Sequence, residues 1–225
     1  MNKNWIPNGF TSLNIALGTL SLIMSWQHEW QLAALFILGA LFADALDGRT
    51  ARYFGVSGDF GRELDSLCDV VSFGVAPGVL LYGWQLYQLP WYLGALVAIF
   101  FAVCGAMRLA RFNINTTNVK GYFMGLPIPT AGCMVATYVL SNAPLPAPAV
   151  AIMASIVAYT MVSEVHYPDF KGQSADKMQK KALLASLVIG FCLWWDETSR
   201  WSFVLFFMYF IFGILNTVWN RLDRR

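Results

Sequence analysis

Apolar runs long enough to cross a bilayer recur along almost the whole 225-residue chain. A run of roughly 20 apolar residues can span the hydrocarbon core as a helix, which pairs every backbone polar group internally. Hydrophobic residues make up 57% of the sequence and charged residues only 12%, about half the charged share of soluble domains. The sequence therefore predicts an all-α, polytopic membrane protein with eight spans, at 10–26, 30–48, 64–83, 91–110, 126–141, 147–165, 181–195 and 201–219.

The connections between these runs are too short to hold a separate soluble domain, so we expect one integral-membrane domain over residues 1–225. The longest polar connection, HYPDFKGQSADKMQKK at 166–181, is predicted to be a solvated loop. The cysteines form no CxxC pair and are predicted to be small core residues rather than metal ligands or disulfide partners: Cys68, Cys104, Cys133 and Cys192.

Basic residues are segregated to one side of the predicted spans. Of the 15 Lys and Arg residues, only Arg200 lies on the other side, where tryptophans such as Trp30 and Trp84 cluster as interface anchors. The positive-inside rule therefore places both termini in the cytoplasm, in a protein integral to the cell membrane. The basic face suits anionic lipid head groups or a phosphorylated substrate. Without interleaved aromatic and basic residues, it predicts no nucleic-acid partner.

Four aspartates lie where the second and third spans meet the cytoplasmic side, in the stretch DALDGRTARYFGVSGDFGRELDSLCD at 44–69. Asp44 and Asp47 are three residues apart, and Asp65 and Asp69 are four apart, so each pair shares one helix face. The short linker predicts antiparallel neighbouring helices whose acidic faces converge. A charged residue near the bilayer core costs at least about 2.5–3.5 kcal/mol, so this cluster indicates a polar site.

Four carboxylates without matching cations cannot all stay ionised close together. Either some of them bind protons or a hard cation neutralises them. Oxygen ligands favour Mg²⁺ or Mn²⁺, and two such ions would hold both sides of a phosphoryl displacement. An interfacial ion-pair network is the alternative, but four carboxylates at these spacings with glycines between them favour the metal site. Asp59 and Glu63 are predicted to face water.

The motif Asp44-x2-Asp47-Gly48-x2-Ala51-Arg52-x8-Gly61-x3-Asp65-x3-Asp69 resembles the signature of the CDP-alcohol phosphotransferase family at every specified position. PNGFTSLN at 7–14 resembles the entry into that family's first helix. SFGVAPG at 72–78, RLARFN at 108–113 and GLPIPTAG at 125–132 resemble its phosphatidylserine synthase branch. The resemblance covers roughly residues 5–165, a six-helix core, and leaves two additional spans at 181–219.

The resemblance implies transfer of a phosphatidyl group from CDP-diacylglycerol to the hydroxyl of L-serine, with release of CMP at the cytoplasmic face. It implies that Asp44, Asp47, Asp65 and Asp69 bind divalent metal and that Asp69 is the general base. The residue chemistry agrees, because the serine hydroxyl is a weak nucleophile that needs a positioned base. The resemblance also implies a homodimer among membrane lipids.

Residues near the aspartates are candidates for binding the two substrates. Small residues leave space for a bulky group and Arg52 can grip phosphate, so the predicted nucleotide and diphosphate site comprises Asn8, Thr11, Gly48, Ala51, Arg52 and Gly61. Asn14 also lies level with the acidic site and is a further candidate for contact with the diphosphate or the cytidine. Two arginines one turn apart, Arg108 and Arg111, are predicted to hold the serine carboxylate, beside Ser72.

Three alternatives remain at this stage. A family member using glycerol 3-phosphate or inositol phosphate would share the core motif, although a phosphorylated acceptor calls for more basic residues than Arg108, Arg111 and Lys120. An intramembrane prenyltransferase also uses aspartates and magnesium, but the Asp-Gly-x2-Ala-Arg section argues against it. A cation transporter would carry polar groups further toward the outer face. His28 and His166 have no ligand partners nearby in sequence.

Overall fold

The computed structural model describes residues 5–56, 58–115, 122–143, 145–168, 183–188 and 201–222. These ranges are mainly helical, with one pair of short strands, and residues 183–188 are helical too. A π-helical segment (Val70–Val75) follows α3, and a 3-10 turn (Leu86–Gln88) follows α4. The helices are α1 (Trp5–Trp26), α2 (Trp30–Phe54), α3 (Asp59–Asp69), α4 (Ala76–Trp84), α5 (Leu93–Asn115), α6 (Ile128–Ser141), α7 (Ala147–Val162) and α8 (Trp201–Leu222).

The prediction of an all-α, polytopic membrane fold is confirmed. Within the described ranges, five helical stretches are long and apolar enough to cross a membrane: Trp5–Trp26, Trp30–Phe54, Asp59–Trp84, Leu93–Ile114 and Ser202–Trp219. Two shorter apolar helices, α6 and α7, match the fifth and sixth predicted spans. The predicted seventh span, 181–195, is helical over 183–188 and otherwise lies outside the described residues.

The core of the bundle surrounds α6, which packs against α2, α4, α7 and α8. Nearly all of its residues from Ala131 to Val139 are fully buried. A Cβ added at Gly132 would lie 2.9 Å from the Cα of Phe73, so this glycine permits close contact with the π-helical segment. As predicted, three cysteines are buried free thiols: Cys68, Cys104 and Cys133. The fourth, Cys192, lies outside the described residues.

The π-helical segment lies between α3 and α4 in one 26-residue apolar stretch. A π turn holds an extra residue and is often found at functional sites. Ser72 in this segment is fully buried, and its hydroxyl donates a 3.0 Å hydrogen bond to the carbonyl of Asn14 in α1. A Cβ on Gly18 would lie 2.8 Å from the Cα of Ser72, so α1 packs directly against the segment that follows Asp69.

A short two-stranded sheet lies after α5 and α7 and packs against the middle of α8. Its strands, β1 (Tyr122–Met124) and β2 (His166–Pro168), are antiparallel with Phe123 opposite Tyr167. The prediction of a solvated loop at 166–181 is therefore wrong for its first three residues, because Tyr167 is fully buried. The Tyr167 hydroxyl donates to the carbonyl of Phe210 in α8 at 3.4 Å. Burial raises the pKa of Tyr167, so this hydroxyl stays protonated.

Candidate active site

Glycines end α2 and start α3, and the turn between them brings the two acidic helix ends together. Gly55 adopts a left-handed conformation, with φ of 63°, and its N–H bonds the last carbonyls of α2. The helix thus continues past the predicted end at residue 48. Gly58 is the N-cap of α3. The backbones of α2 and α3 make few close approaches, whereas α1 packs along both. Side chains therefore meet in the space between α2 and α3.

Three of the four predicted metal ligands converge in that space. Asp44 and Asp47 from α2 and Asp65 from α3 each offer a carboxylate oxygen, and these oxygens all lie within 4.8 Å of one another. The prediction that the two acidic faces converge agrees with this arrangement.

The carboxylate cluster has the chemistry of a divalent-cation site. None of Asp44, Asp47 and Asp65 forms an ion pair with a described Lys or Arg; the described ion pairs join Arg62 to Asp59 and Glu63. The buried Oδ1 of Asp65 has no hydrogen-bond partner in the described part of the chain. Unpaired carboxylates at this separation repel one another unless a proton or a cation lies between them. A donor set made only of carboxylate oxygens suits a hard cation such as Mg²⁺ or Mn²⁺.

Asp69 stands apart from this cluster of three, although it lies within electrostatic reach of Asp44 and Asp65. Its side chain is only 6% exposed. Oδ1 of Asp69 accepts a 3.0 Å hydrogen bond from Nδ2 of Asn14. No described residue donates to its other oxygen, so one carboxylate oxygen is held and one is available.

A polar face of α1 contacts both acidic helices. The Thr11 hydroxyl is 2.8 Å from Oδ2 of Asp47 and 3.1 Å from the carbonyl of Pro7. One turn later, Asn14 contacts Asp69. Thr11 and Asn14 are both buried, and the Thr11 hydroxyl and the Asn14 Nδ2 already bond to protein atoms. The sequence showed their polar character, but it did not show that their partners are the aspartates.

The remaining predicted nucleotide-binding residues border the same end of the bundle. A Cβ on Gly61 would lie 3.6 Å from Oδ1 of Asn8, so α1 and α3 are close at this point. A Cβ on Gly48 would lie 3.6 Å from Nη1 of Arg52, and the Arg52 side chain is exposed. Ala51 is half-buried on α2. Glycine therefore keeps open space next to a cationic group and an amide group.

Arg108 is a buried cation that forms none of the described ion pairs. It is 6% exposed, and its buried Nε has no hydrogen-bond partner in the described part of the chain. The guanidinium makes a cation–π contact with Phe112, in which Cζ lies 5.1 Å from the ring centroid. The guanidinium lies within electrostatic reach of Asp69 and of Tyr209 in α8. An unpaired buried charge is costly, so this position favours an anionic ligand.

Arg111, one turn further along α5, has a different environment. Its guanidinium donates to the carbonyls of Met161, Val162 and Ser163, at the end of α7, and to that of Met124 in β1, at distances from 2.7 to 3.2 Å. A cationic side chain bonded to the last carbonyls of a helix stabilises that helix end. The structure thus places the two predicted acceptor-binding arginines in distinct roles. The third predicted acceptor residue, Ser72, is buried in the contact with α1.

Tyr209 is a residue near the site that the sequence analysis missed. It lies on α8, far from the acidic motif in sequence, and its ring is 5.3 Å from that of Tyr167. The paired strands and α8 bring it within electrostatic reach of Arg108. No local motif marks this tyrosine, and its position depends on how α8 packs against the two-stranded sheet.

Comparison with known proteins identifies the family. The model of the CDP-alcohol phosphatidyltransferase family matches residues 4–163. The chain is 39% identical over 177 residues to a CDP-diacylglycerol–serine O-phosphatidyltransferase of Bacillus subtilis, covering 78% of this chain and 97% of that protein. It is 36% identical over 219 residues to the protein of that name from Methanocaldococcus jannaschii, covering 95% and 94%.

A further relative is the archaetidylserine synthase of Methanothermobacter thermautotrophicus, 36% identical over 173 residues, covering 76% of this chain and 72% of that protein. The family match includes every residue of the acidic motif, and its last residue precedes α8. The chain belongs to the CDP-alcohol phosphatidyltransferase family.

Proposed function

We propose that this protein transfers the phosphatidyl group of CDP-diacylglycerol to L-serine, forming phosphatidylserine and CMP. Two of the relatives described above carry the name CDP-diacylglycerol–serine O-phosphatidyltransferase, and the third is named for a serine-containing lipid. Serine is the common element of these names, which supports it as the acceptor here.

The single observation that carries the acceptor assignment is the buried guanidinium of Arg108 within electrostatic reach of Asp69, with an Nε that has no hydrogen-bond partner among the described residues. Serine brings a carboxylate that would neutralise this cation and a hydroxyl that must reach a base. A guanidinium can bind a carboxylate through two parallel hydrogen bonds, which would also orient the hydroxyl. Arg111 is already bonded to four carbonyls, so we assign it to holding the end of α7 rather than to serine.

In the proposed reaction, Asp69 accepts the proton of the serine hydroxyl through its available oxygen. The serine oxygen forms a bond to the phosphorus on the lipid side of the diphosphate. The bond from that phosphorus to the bridging oxygen breaks, and the electron pair leaves with CMP. Burial of Asp69 and Arg108 excludes water, a competing nucleophile, from the side of the acceptor.

Asp44, Asp47 and Asp65 would hold the divalent ions, with Asp69 as a fourth ligand where two ions bind. When bound, Mg²⁺ or Mn²⁺ would neutralise diphosphate charge and stabilise the departing CMP. Gly48 and Gly61 leave space for the nucleotide, which Ala51 and Asn8 would border. Arg52 is exposed on the same side and would contact a phosphate or the cytidine.

We further propose that the site opens at the cytoplasmic face of the cell membrane, with both termini on that side, as the distribution of Lys and Arg supports. CDP-diacylglycerol would then enter from the surrounding lipid. Residues 5–165 would form the catalytic core and 181–219 an addition to it. A homodimer is the proposed assembly, supported only by the family resemblance.

The test is to incubate purified protein with CDP-diacylglycerol, Mg²⁺ or Mn²⁺, and a panel of L-serine, glycerol 3-phosphate and inositol phosphate. We expect release of CMP and formation of phosphatidylserine with serine only. If glycerol 3-phosphate outcompetes serine, the acceptor assignment is wrong while the phosphotransferase assignment stands. No CMP release with any acceptor would contradict both.

A further inference from the structure

Asn14 of α1 occupies a fully buried position between the acidic site and the π-helical segment. Its amide Nδ2 donates to Oδ1 of Asp69 at 3.0 Å. Its backbone carbonyl accepts a 3.0 Å hydrogen bond from the hydroxyl of Ser72, three residues beyond Asp69. Asn14 is therefore joined to the α3–α4 stretch at Asp69 itself and, three residues later, at Ser72.

The packing around Asn14 leaves its side chain little freedom. Gly18, one turn along α1, allows the helix to lie directly on Ser72, since a Cβ there would be 2.8 Å from the Ser72 Cα. Oδ1 of Asn14 is buried without a hydrogen-bond partner among the described residues. A buried amide oxygen without a partner is destabilising. The side chain nevertheless keeps its Nδ2 bonded to Asp69.

The two most buried aspartates of the site are oriented in the same way. Asp47 on α2 is 7% exposed and Asp69 is 6% exposed. Each accepts a hydrogen bond from α1, Asp47 from Thr11 and Asp69 from Asn14. Because these donors are one helical turn apart, α1 aligns one carboxylate from each acidic helix.

We propose that Asn14 is a positioning residue for Asp69: its amide holds Oδ1 and so directs Oδ2 of Asp69 toward the acceptor hydroxyl. This inference rests on the proposed role of Asp69 as the base. A carboxylate free to rotate about its Cβ–Cγ bond would present its oxygens in many directions, and misorientation of a catalytic group lowers the rate of the chemical step. Asn14 need not touch either substrate.

The test compares Asn14→Ala with Ser21→Ala in the full-length protein. Ser21 is a matched control, because it lies two turns along the same face of α1, is also fully buried and has no hydrogen-bond partner among the described residues. The measurements are kcat, KM for serine, KM for CDP-diacylglycerol and the melting temperature in detergent. We expect Asn14→Ala to lower kcat by about ten- to a hundredfold, the effect of losing one hydrogen bond to a charged group. Both KM values should change less than about twofold, as for an interaction that matters in the transition state.

Asn14→Asp supplies a second variant of almost the same shape, in which an oxygen replaces the donor. We expect it to lose at least as much kcat as Asn14→Ala, with binding of CDP-diacylglycerol retained in a thermal-shift titration. An unchanged kcat in either variant would overturn the proposal. So would a raised KM for CDP-diacylglycerol with kcat preserved, which would make Asn14 a nucleotide contact.

If both Asn14 variants fail to fold while Ser21→Ala folds, Asn14 is a packing residue and the proposal is again wrong. Failure of the proposed function is a separate result, seen in the unmodified protein as absence of CMP release. If the unmodified protein prefers another acceptor, the same comparison is made with that acceptor. The expected loss of kcat does not depend on which alcohol is attacked.

Discussion

Exchange of the two α5 arginines for methionine should have different effects. Loss of Arg108 should weaken serine binding, and loss of Arg111 should lower stability. Methionine is unbranched and replaces the aliphatic part of the arginine side chain, but carries no charge and no donor. Arg108→Met removes a buried cation whose Nε has no hydrogen-bond partner among the described residues. Arg111→Met removes the donor to four backbone carbonyls. The two residues are one turn apart, so they differ chiefly in what their guanidinium groups contact.

The magnitudes follow from those contacts. A hydrogen bond to a charged group contributes about 1.5–3 kcal/mol, so loss of the Arg108–carboxylate interaction should raise KM for serine by roughly ten- to a hundredfold. Loss of Arg111 leaves four part-buried carbonyls without this donor, and at about 1 kcal/mol each, the low end of the range for an unpaired group, the total is about 3 kcal/mol or more. For a chain of this size that is a fall in melting temperature of roughly 6–12 °C.

The assay measures KM for serine and for CDP-diacylglycerol at saturating co-substrate, together with thermal unfolding in detergent followed by tryptophan fluorescence. Arg108→Met should raise KM for serine, with little change in melting temperature or in KM for the lipid nucleotide. Arg111→Met should lower the melting temperature, with KM for serine nearly unchanged. Arg62→Met is the control, because Arg62 forms only exposed ion pairs and should change neither quantity. Equal increases in KM for serine from both substitutions, without loss of stability, would refute the distinction.

Three further predictions concern the metal site, the two-stranded sheet and the orientation in the membrane. CMP release should be abolished by excess chelator and by each of the substitutions Asp44→Asn, Asp47→Asn and Asp65→Asn, and undiminished turnover in chelator would exclude the metal site. Asp69→Asn should lower kcat while substrate binding is largely kept. Gly125→Ala should lower the melting temperature measurably, because Gly125 has φ of 77° and an added Cβ would meet the carbonyl of Met161. An unchanged melting temperature would contradict this account of the residue that follows β1. In a cysteine-free background, a cysteine at position 175, which is outside the described residues, should react with impermeant thiol reagents only from the cytoplasmic side; labelling from outside the cell would reverse the proposed orientation.

The sequence alone determined the fold class and most of the acidic site, because both depend on local spacing. Helix length and apolar composition report on the bilayer directly, so α1, α2, α5 and α8 lie close to their predicted spans. The three- and four-residue spacings of the aspartates place each pair on one helix face whatever the rest of the fold does. The 44–69 motif by itself therefore indicates the cluster of Asp44, Asp47 and Asp65.

Tertiary structure decided which groups those side chains contact. Arg108 and Arg111 look alike in RLARFN, yet Nε of Arg108 has no partner among the described residues, whereas Arg111 bonds the end of α7, about fifty residues away in sequence. Asn14 lies 55 residues from Asp69 and reaches it only because Gly18 lets α1 pack against the π-helical segment. Tyr167 is buried because α8 packs over it. Such contacts depend on how separate helices pack together, and neither local composition nor residue spacing specifies that packing.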